Sequence, residues 1–298
     1  MTPFKGLVAF PITPMDADGK VDLAALRALV RRLTEAGVDA IGLLGSTGSY
    51  PYLSRDERRR AIAAALSETG GRTPVIAGVG ALRTDETVRL TRDARAEGAA
   101  GGLLAPVSYT PLTDEEVFAH FAAVSAACDL PICIYNNPST THFTFSDELI
   151  GRLSALDHVI AVKNPAPAAD TASAAIAALR GRAPAGFSVG YSADWGCAEA
   201  LIAGADAWYS VVAGLFPAVA LDITRAVARG DVAAARAADA RLAPLWTLFK
   251  AFGGLRVMYA AANLTGLCAA APPLPILPLA GEARRQVEAA LHDLGLIA

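Results

Sequence analysis

Only four of the 26 basic residues are lysines, Lys5, Lys20, Lys163 and Lys250, so arginine carries nearly all of the positive charge. Lys163 closes the apolar run from Val159 to Asn164, where a solvated surface cation is least expected. Burial disfavours the charged form of an amine, and a neutral amine attacks a carbonyl carbon to form a Schiff base. The alternative is a lysine that snorkels to a rim or pairs with a carboxylate. Tyr135 ends another apolar run, and a phenol in that place can pass protons while a carbinolamine collapses to an imine. Taken alone, Tyr135 reads more readily as a core or interface tyrosine. The run Gly45, Ser46, Thr47, Gly48 offers two hydroxyls and free backbone N–H groups to an anion, carboxylate or phosphate, although such a pattern is most often just a turn.

These residues gain weight from the elements that must carry them. Short runs rich in Val, Ile and Leu recur at Gly6–Pro11, Val38–Gly45, Pro74–Gly80, Ala100–Pro106, Pro131–Asn136, Val159–Asn164, Gly186–Tyr191 and Asp206–Val212. Between them lie stretches with apolar residues at i, i+3, i+4 spacing, among them Asp22–Ala36, Arg55–Thr69, Asp85–Glu97, Asp114–Cys128, Ser146–Leu156, Ala193–Ala203 and Phe216–Arg229. Eight strands, each followed by a helix, at a period of roughly 30 residues predict a (β/α)8 TIM barrel over residues 1–229. A doubly wound open sheet is the runner-up, but the first strand is not followed by the Gly-x-Gly-x-x-Gly turn that dinucleotide binding needs. Residues 230–298 read as a C-terminal helical extension, broken at Pro272–Pro278, packed on the barrel or on a neighbouring subunit. In the barrel, Lys163, Tyr135 and the 45–48 turn all fall at C-terminal strand ends, the face where such barrels do chemistry.

The chain has 298 residues, 53% hydrophobic and 18% charged, with a formal net charge of −3. There is no basic excess to neutralise a row of phosphates, so nucleic acid and anionic membranes are poor partners. Mean hydropathy is high, at +0.38. Every apolar stretch nevertheless breaks well before the ~18 residues of a membrane span. The N-terminal residues lack the pattern of an export signal, which makes the cytoplasm the expected location. Cys128, Cys133, Cys197 and Cys268 form no Cys-x-x-Cys pair and read as packing thiols. No histidine or carboxylate cluster suggests a metal site, and Trp195, Trp208 and Trp246 read as packing residues. His142, on a loop after the Tyr135 run, is the one histidine placed near the expected barrel mouth.

With these motifs in order, the chain resembles the dihydrodipicolinate synthase and N-acetylneuraminate lyase family of Schiff-base-forming, class I aldolases and dehydratases. The resemblance runs from Phe10–Asp22 through Gly45–Gly48, Tyr135–Pro138 and Val162–Lys163 to Ala203–Asp206 and Ser210. It implies that Lys163 forms the Schiff base with a 2-keto acid, that Tyr135 shuttles protons, and that Ser46 and Thr47 hold the substrate carboxylate. Gly48, Tyr109, Thr140, Gly190 and Tyr209 fall at further substrate-binding positions of the family pattern. It also implies a homotetramer, a dimer of dimers, with no metal or organic cofactor.

The departures bear on substrate. Thr140 stands where the synthases carry an arginine for the second substrate's carboxylate. Tyr109 is the only candidate for the tyrosines that the synthases carry after the fourth strand, one of which reaches a neighbouring subunit. Ser192 and Ala193 replace the acidic pair with which sialic acid lyases hold a polyol tail, and Tyr209 stands where the synthases tend to have an aliphatic residue. The expected function is a lyase acting on a 2-keto acid, by aldol cleavage or condensation with pyruvate or by dehydration of a 2-keto-3-deoxy sugar acid. Dihydrodipicolinate synthase activity is the alternative. Two readings from other classes are a phosphate-binding barrel with Lys163 as clamp and a catalytically silent keto-acid sensor.

Overall fold

The computed structural model describes residues 2–297. Eight parallel strands, β1 (Gly6–Ala9), β2 (Ala40–Leu43), β3 (Val75–Gly78), β4 (Gly101–Leu104), β5 (Ile132–Tyr135), β6 (Val159–Pro165), β7 (Ser188–Ser192) and β8 (Ala207–Ser210), close into a barrel in sequence order. Each lies within or overlaps one of the eight apolar runs, because a strand buried on both faces reads as a short continuous apolar segment. Side chains alternate between the barrel interior and the helix layer. Cys133 and Tyr135, Ala161 and Lys163, and Ala207 and Tyr209 are i, i+2 pairs facing inward, and the register sets Tyr135 beside Lys163 and Lys163 beside Gly190.

The outer ring holds α1 (Leu23–Ala36), α2 (Arg55–Thr69), α3 (Thr84–Glu97), α4 (Asp114–Ala127), the short α5 (Pro138–Thr141), α6 (Asp147–Leu153), α7 (Ala172–Arg180), α8 (Cys197–Ile202) and α9 (Pro217–Ala228). Asp22, Ser54 and Ser146 cap their helices, and Thr113 with Glu116 forms a capping box at α4. Two helices are shorter than the periodicity suggests. The segment expected over Ser146–Leu156 stops at Leu153, and that over Ala193–Ala203 opens with a 3-10 turn at Asp194–Gly196, because Ala193 sits in a left-handed conformation and Gly196 interrupts the run. The mostly alanine helix α7 carries too little apolar contrast for spacing to single it out.

Beyond the barrel follow α10 (Val232–Arg241), α11 (Ala243–Phe252), α12 (Gly254–Leu264) and α13 (Gly281–Asp293), with the Pro-rich break between the last two. α10 packs on α9 and α8, and the Tyr259 hydroxyl of α12 donates to the Thr13 carbonyl at 3.0 Å, tying the extension to the loop after β1. No helix among the described residues is long and apolar enough to cross a membrane.

The arginine bias has a structural use. Arg31 on α1 pairs with Glu68 on α2 at 2.7 Å, Arg55 on α2 with Asp93 on α3 at 2.5 Å, Arg152 on α6 with Glu115 on α4 at 2.7 Å, and Arg236 on α10 with Glu199 on α8 at 2.6 Å. These pairs belt packed helices together, several through the two-pronged contact that a guanidinium makes and an ammonium does not. Hydrogen bonds from the arginines hold the carboxyls of Glu68, Asp93, Glu115 and Glu199 below their ordinary values. A carboxyl lowered by folding contributes stability that is present above the ordinary range and is lost as pH falls through it. Thermal melts should therefore be nearly flat around neutrality and drop below about pH 4, whereas 1 M NaCl at neutral pH should move Tm little, because exposed pairs are individually weak.

Candidate active site

Lys163 is 3% exposed, and its Nζ makes no hydrogen bond and no ion pair with the described residues. Aromatic faces surround it instead. Nζ lies 3.9 Å from the centroid of Phe10, 4.2 Å from that of Tyr135 and 5.7 Å from that of Tyr209. Glycines make this box possible. A Cβ on Gly42 or Gly45 would lie 2.2 and 2.6 Å from the nearest Phe10 ring atom, so the ring is seated where two side chains are missing. A Cβ on Gly190 would lie 2.5 Å from Tyr209 Cε2 and 2.8 Å from the Ala207 Cβ. Gly190 thus makes room for the Tyr209 ring next to the lysine. Gly190→Ala is expected to cost about 1–3 kcal/mol, because Ala207 cannot yield, and to push the ring toward Nζ; a denaturant titration and the rate of amine capture by a keto acid check both effects.

The Tyr135 hydroxyl lies 3.1 Å from Ser46 Oγ, so a strand-end phenol from β5 meets the turn after β2 across the barrel mouth. Asn137 Nδ2 donates to Tyr135 Oη at 2.9 Å and reaches Ser46 Oγ at 3.3 Å. Next to them, Asn136 Nδ2 donates to Asn164 Oδ1 at 3.0 Å, joining the ends of β5 and β6 beside the lysine. The Gly45–Gly48 turn is held by a strained entry. Leu44 has φ 58°, and its carbonyl oxygen stands 1.8 Å from where a Cβ of Gly78 would be, so glycine is required there. Gly48 is similarly tight, with Leu44 backbone atoms and Thr13 Oγ1 at 3.1 Å from its ideal Cβ. Thr47 is buried and Ser46 half-buried.

The structure does not bring every expected residue to this place. Tyr109, on the loop after β4, is 97% exposed and makes no contact with the site within its own chain. Thr140 is exposed on α5 and turns its hydroxyl onto the Asn137 carbonyl at 3.2 Å. His142 is exposed with φ 57°. The Tyr209 side chain, expected among the substrate contacts, is fully buried within the barrel, its hydroxyl 3.5 Å from Cys133 Sγ. Burial pushes the Tyr209 phenol well up and the Cys133 thiol up to about 12, so both stay neutral as walls of the box.

Three residues escaped the sequence reading. Phe10 appears there only as the first residue of one motif and Asn137 only inside another, and Asp194 is not singled out at all. The Asp194 carboxylate, 2% exposed, accepts from Trp208 Nε1 at 2.9 Å, Val211 N at 3.2 Å, Val212 N at 2.7 Å and Ser210 Oγ at 3.4 Å.

The closed eight-stranded barrel and the comparisons with known proteins together make this a lyase of the class I aldolase type. The chain belongs to the dihydrodipicolinate synthetase family, whose model matches residues 3–294. It is similar to a 4-hydroxy-tetrahydrodipicolinate synthase of Leptothrix cholodnii, 35% identical over the full length of both chains. A crystal structure of dihydrodipicolinate synthase from Agrobacterium tumefaciens superposes with a TM-score of 0.96 at 55% identity, covering 98% of this chain and 99% of that one. The chloride-inhibited dihydrodipicolinate synthase of Acinetobacter baumannii, complexed with pyruvate, matches with a TM-score of 0.91 at 29% identity over 99% of this chain and 100% of that one.

Proposed function

We propose that Lys163 condenses with C2 of a 2-keto acid, that Tyr135 carries the protons of that step, and that Ser46, Thr47 and the N–H groups of their turn hold the substrate carboxylate. The observation that carries this reading is an amine on a buried lysine with no partner among the described residues, walled by aromatic rings, one of them Tyr135, whose hydroxyl pairs with Ser46 of the turn after β2. An amine held among ring faces and not engaged by any acceptor of the described residues is free to attack a carbonyl carbon. The electron-withdrawing imine then opens either aldol cleavage or condensation at the adjacent carbon, or loss of water from a deoxy sugar acid.

For the rest of the substrate we favour a hydroxylated 2-keto acid. The segment from Pro138 to Thr141 carries no cation for a second carboxylate, and Ser192 and Ala193 follow the end of β7 without an acidic side chain. Synthase activity is the second reading, supported by the names of the relatives. Assembly as a homotetramer is supported by Tyr109, Leu82 and Tyr52, exposed by 97%, 68% and 43% on neighbouring loops of the barrel mouth, which suit a subunit contact; light scattering on the purified chain tests it. The four free cysteines favour the reducing cytoplasm.

Intact mass after incubation with pyruvate and sodium borohydride, followed by peptide mapping, tests the chemistry. A single reduced adduct on Lys163 supports it and justifies screening keto sugar acids for cleavage against dehydration. No adduct with pyruvate or with larger 2-keto acids overturns it in favour of the phosphate-binding reading, while an adduct with no turnover of any donor leaves the sensor.

A further inference from the structure

We propose that Asn137 is a positioning residue for Tyr135, the fixed donor that stabilises the phenol once it has given up its proton; this rests on Tyr135 being the proton carrier of the Schiff-base step. Three observations place the amide. The Asn137 carbonyl accepts from the backbone N–H groups of Thr140 and Thr141 at 3.0 Å each, which pins the residue at the start of α5. Ser139 Oγ donates to Asn137 Oδ1 at 2.8 Å, which turns Nδ2 inward. Nδ2 then donates to Tyr135 Oη at 2.9 Å and reaches Ser46 Oγ at 3.3 Å.

An amide nitrogen can only donate. Whichever of Tyr135 and Ser46 donates in the bond between them, the Asn137 N–H remains on a lone pair of the phenol oxygen. When the carbinolamine collapses, Tyr135 gives its proton to the departing hydroxyl, the C–O bond breaks, the nitrogen lone pair becomes the second bond of the iminium, and water leaves. The phenolate that remains takes a proton from the carbon beside the iminium, giving the enamine and restoring the phenol. Between those two transfers the oxygen carries a full negative charge on a side chain that is largely buried. The Asn137 bond then becomes charge-assisted and about twice as strong, at no cost in reorganisation, since it is already formed.

The test reverses one atom. Asn137→Asp keeps the shape and the Ser139 contact but sets a charged acceptor against the phenol. With pyruvate and borohydride, the rate of adduct formation should fall on the order of 100-fold or more, the size of effect seen when one preorganised donor is lost, while the final extent of adduct and its dependence on pyruvate concentration stay as in the wild type. Ser139→Ala, which frees the amide without touching the phenol, should slow the same rate several-fold and leave Tm unchanged. Asn137→Asp trapping pyruvate at the wild-type rate overturns the proposal and would mean that the amide oxygen faces the phenol. A fall in extent rather than rate also overturns it, by giving Asn137 a binding role. Absence of any adduct in the wild type removes instead the Schiff-base reading on which it rests.

Discussion

Replacing Lys163 by methionine is expected to abolish capture of 2-keto acids and at the same time to raise the stability of the protein. The first effect follows from chemistry. Methionine has no nucleophilic lone pair of comparable reactivity, and turnover should fall by at least about 10⁴-fold, as when other covalent nucleophiles are removed. The second follows from the surroundings of the amine. Nζ finds neither acceptor nor counter-ion among the described residues. The nearby buried carboxylate of Asp194 is already committed to four donors. An amine head held between ring faces without an acceptor packs less favourably than an apolar one, and methionine is apolar, of similar length, and packs well against ring edges. The gain should be about 1 kcal/mol, or a few degrees in Tm. The three ring faces act in the opposite direction, since a cation over an aromatic ring gains up to about 2 kcal/mol when desolvated. A Lys163→Met protein that melts lower than the wild type would therefore show that the box stabilises a structural cation, and would count against the catalytic reading.

That cluster also shows which parts of the site a sequence can reveal. Strands buried on both faces must be short, apolar and regularly spaced, so the barrel and its eight strand ends are legible in the composition of those runs. Lys163 stands out because an amine at the end of such a run contradicts its neighbours, and Tyr135 because it repeats the placement one strand away. Phe10 is not legible in the same way. Its contact with the lysine depends on Gly42 of β2 and Gly45 of the turn that follows it, whose missing side chains become meaningful only in three dimensions. Asn137 sits in the motif, but its role depends on which end of its amide faces inward, set by the hydroxyl of Ser139. The loop after β4 and the short α5 carry no periodic pattern, so sequence order places Tyr109 and Thr140 near the mouth without fixing where they face, and both are exposed within the single chain.

Asp194 is the residue whose loss should damage the fold most. Its carboxylate holds the Trp208 indole, the backbone N–H groups of Val211 and Val212, and the Ser210 hydroxyl, so it joins the segment after β7 to the end of β8. Asp194→Ala leaves three N–H donors without an acceptor in a site that is 2% exposed, and each such donor costs about 1–3 kcal/mol. With partial relaxation, a loss of about 3–5 kcal/mol is expected in a denaturant titration, and about 1–3 kcal/mol for Asp194→Asn, which keeps one acceptor oxygen. Burial raises this carboxyl, and the hydrogen bonds from Val212, Trp208 and Val211 only partly offset that rise. A carboxyl raised by folding contributes most below its ordinary range and loses that contribution as pH rises, the reverse of the arginine-paired carboxylates on the surface. The stability gap between wild type and Asp194→Ala should accordingly narrow from acid to neutral pH, and a gap that widens would mean that the four donors outweigh burial. Because Tyr209 stands between Trp208 and Ser210 on β8, the same substitution loosens one wall of the lysine's box, and a slower adduct-forming step at temperatures where the variant remains folded is the functional trace of that link.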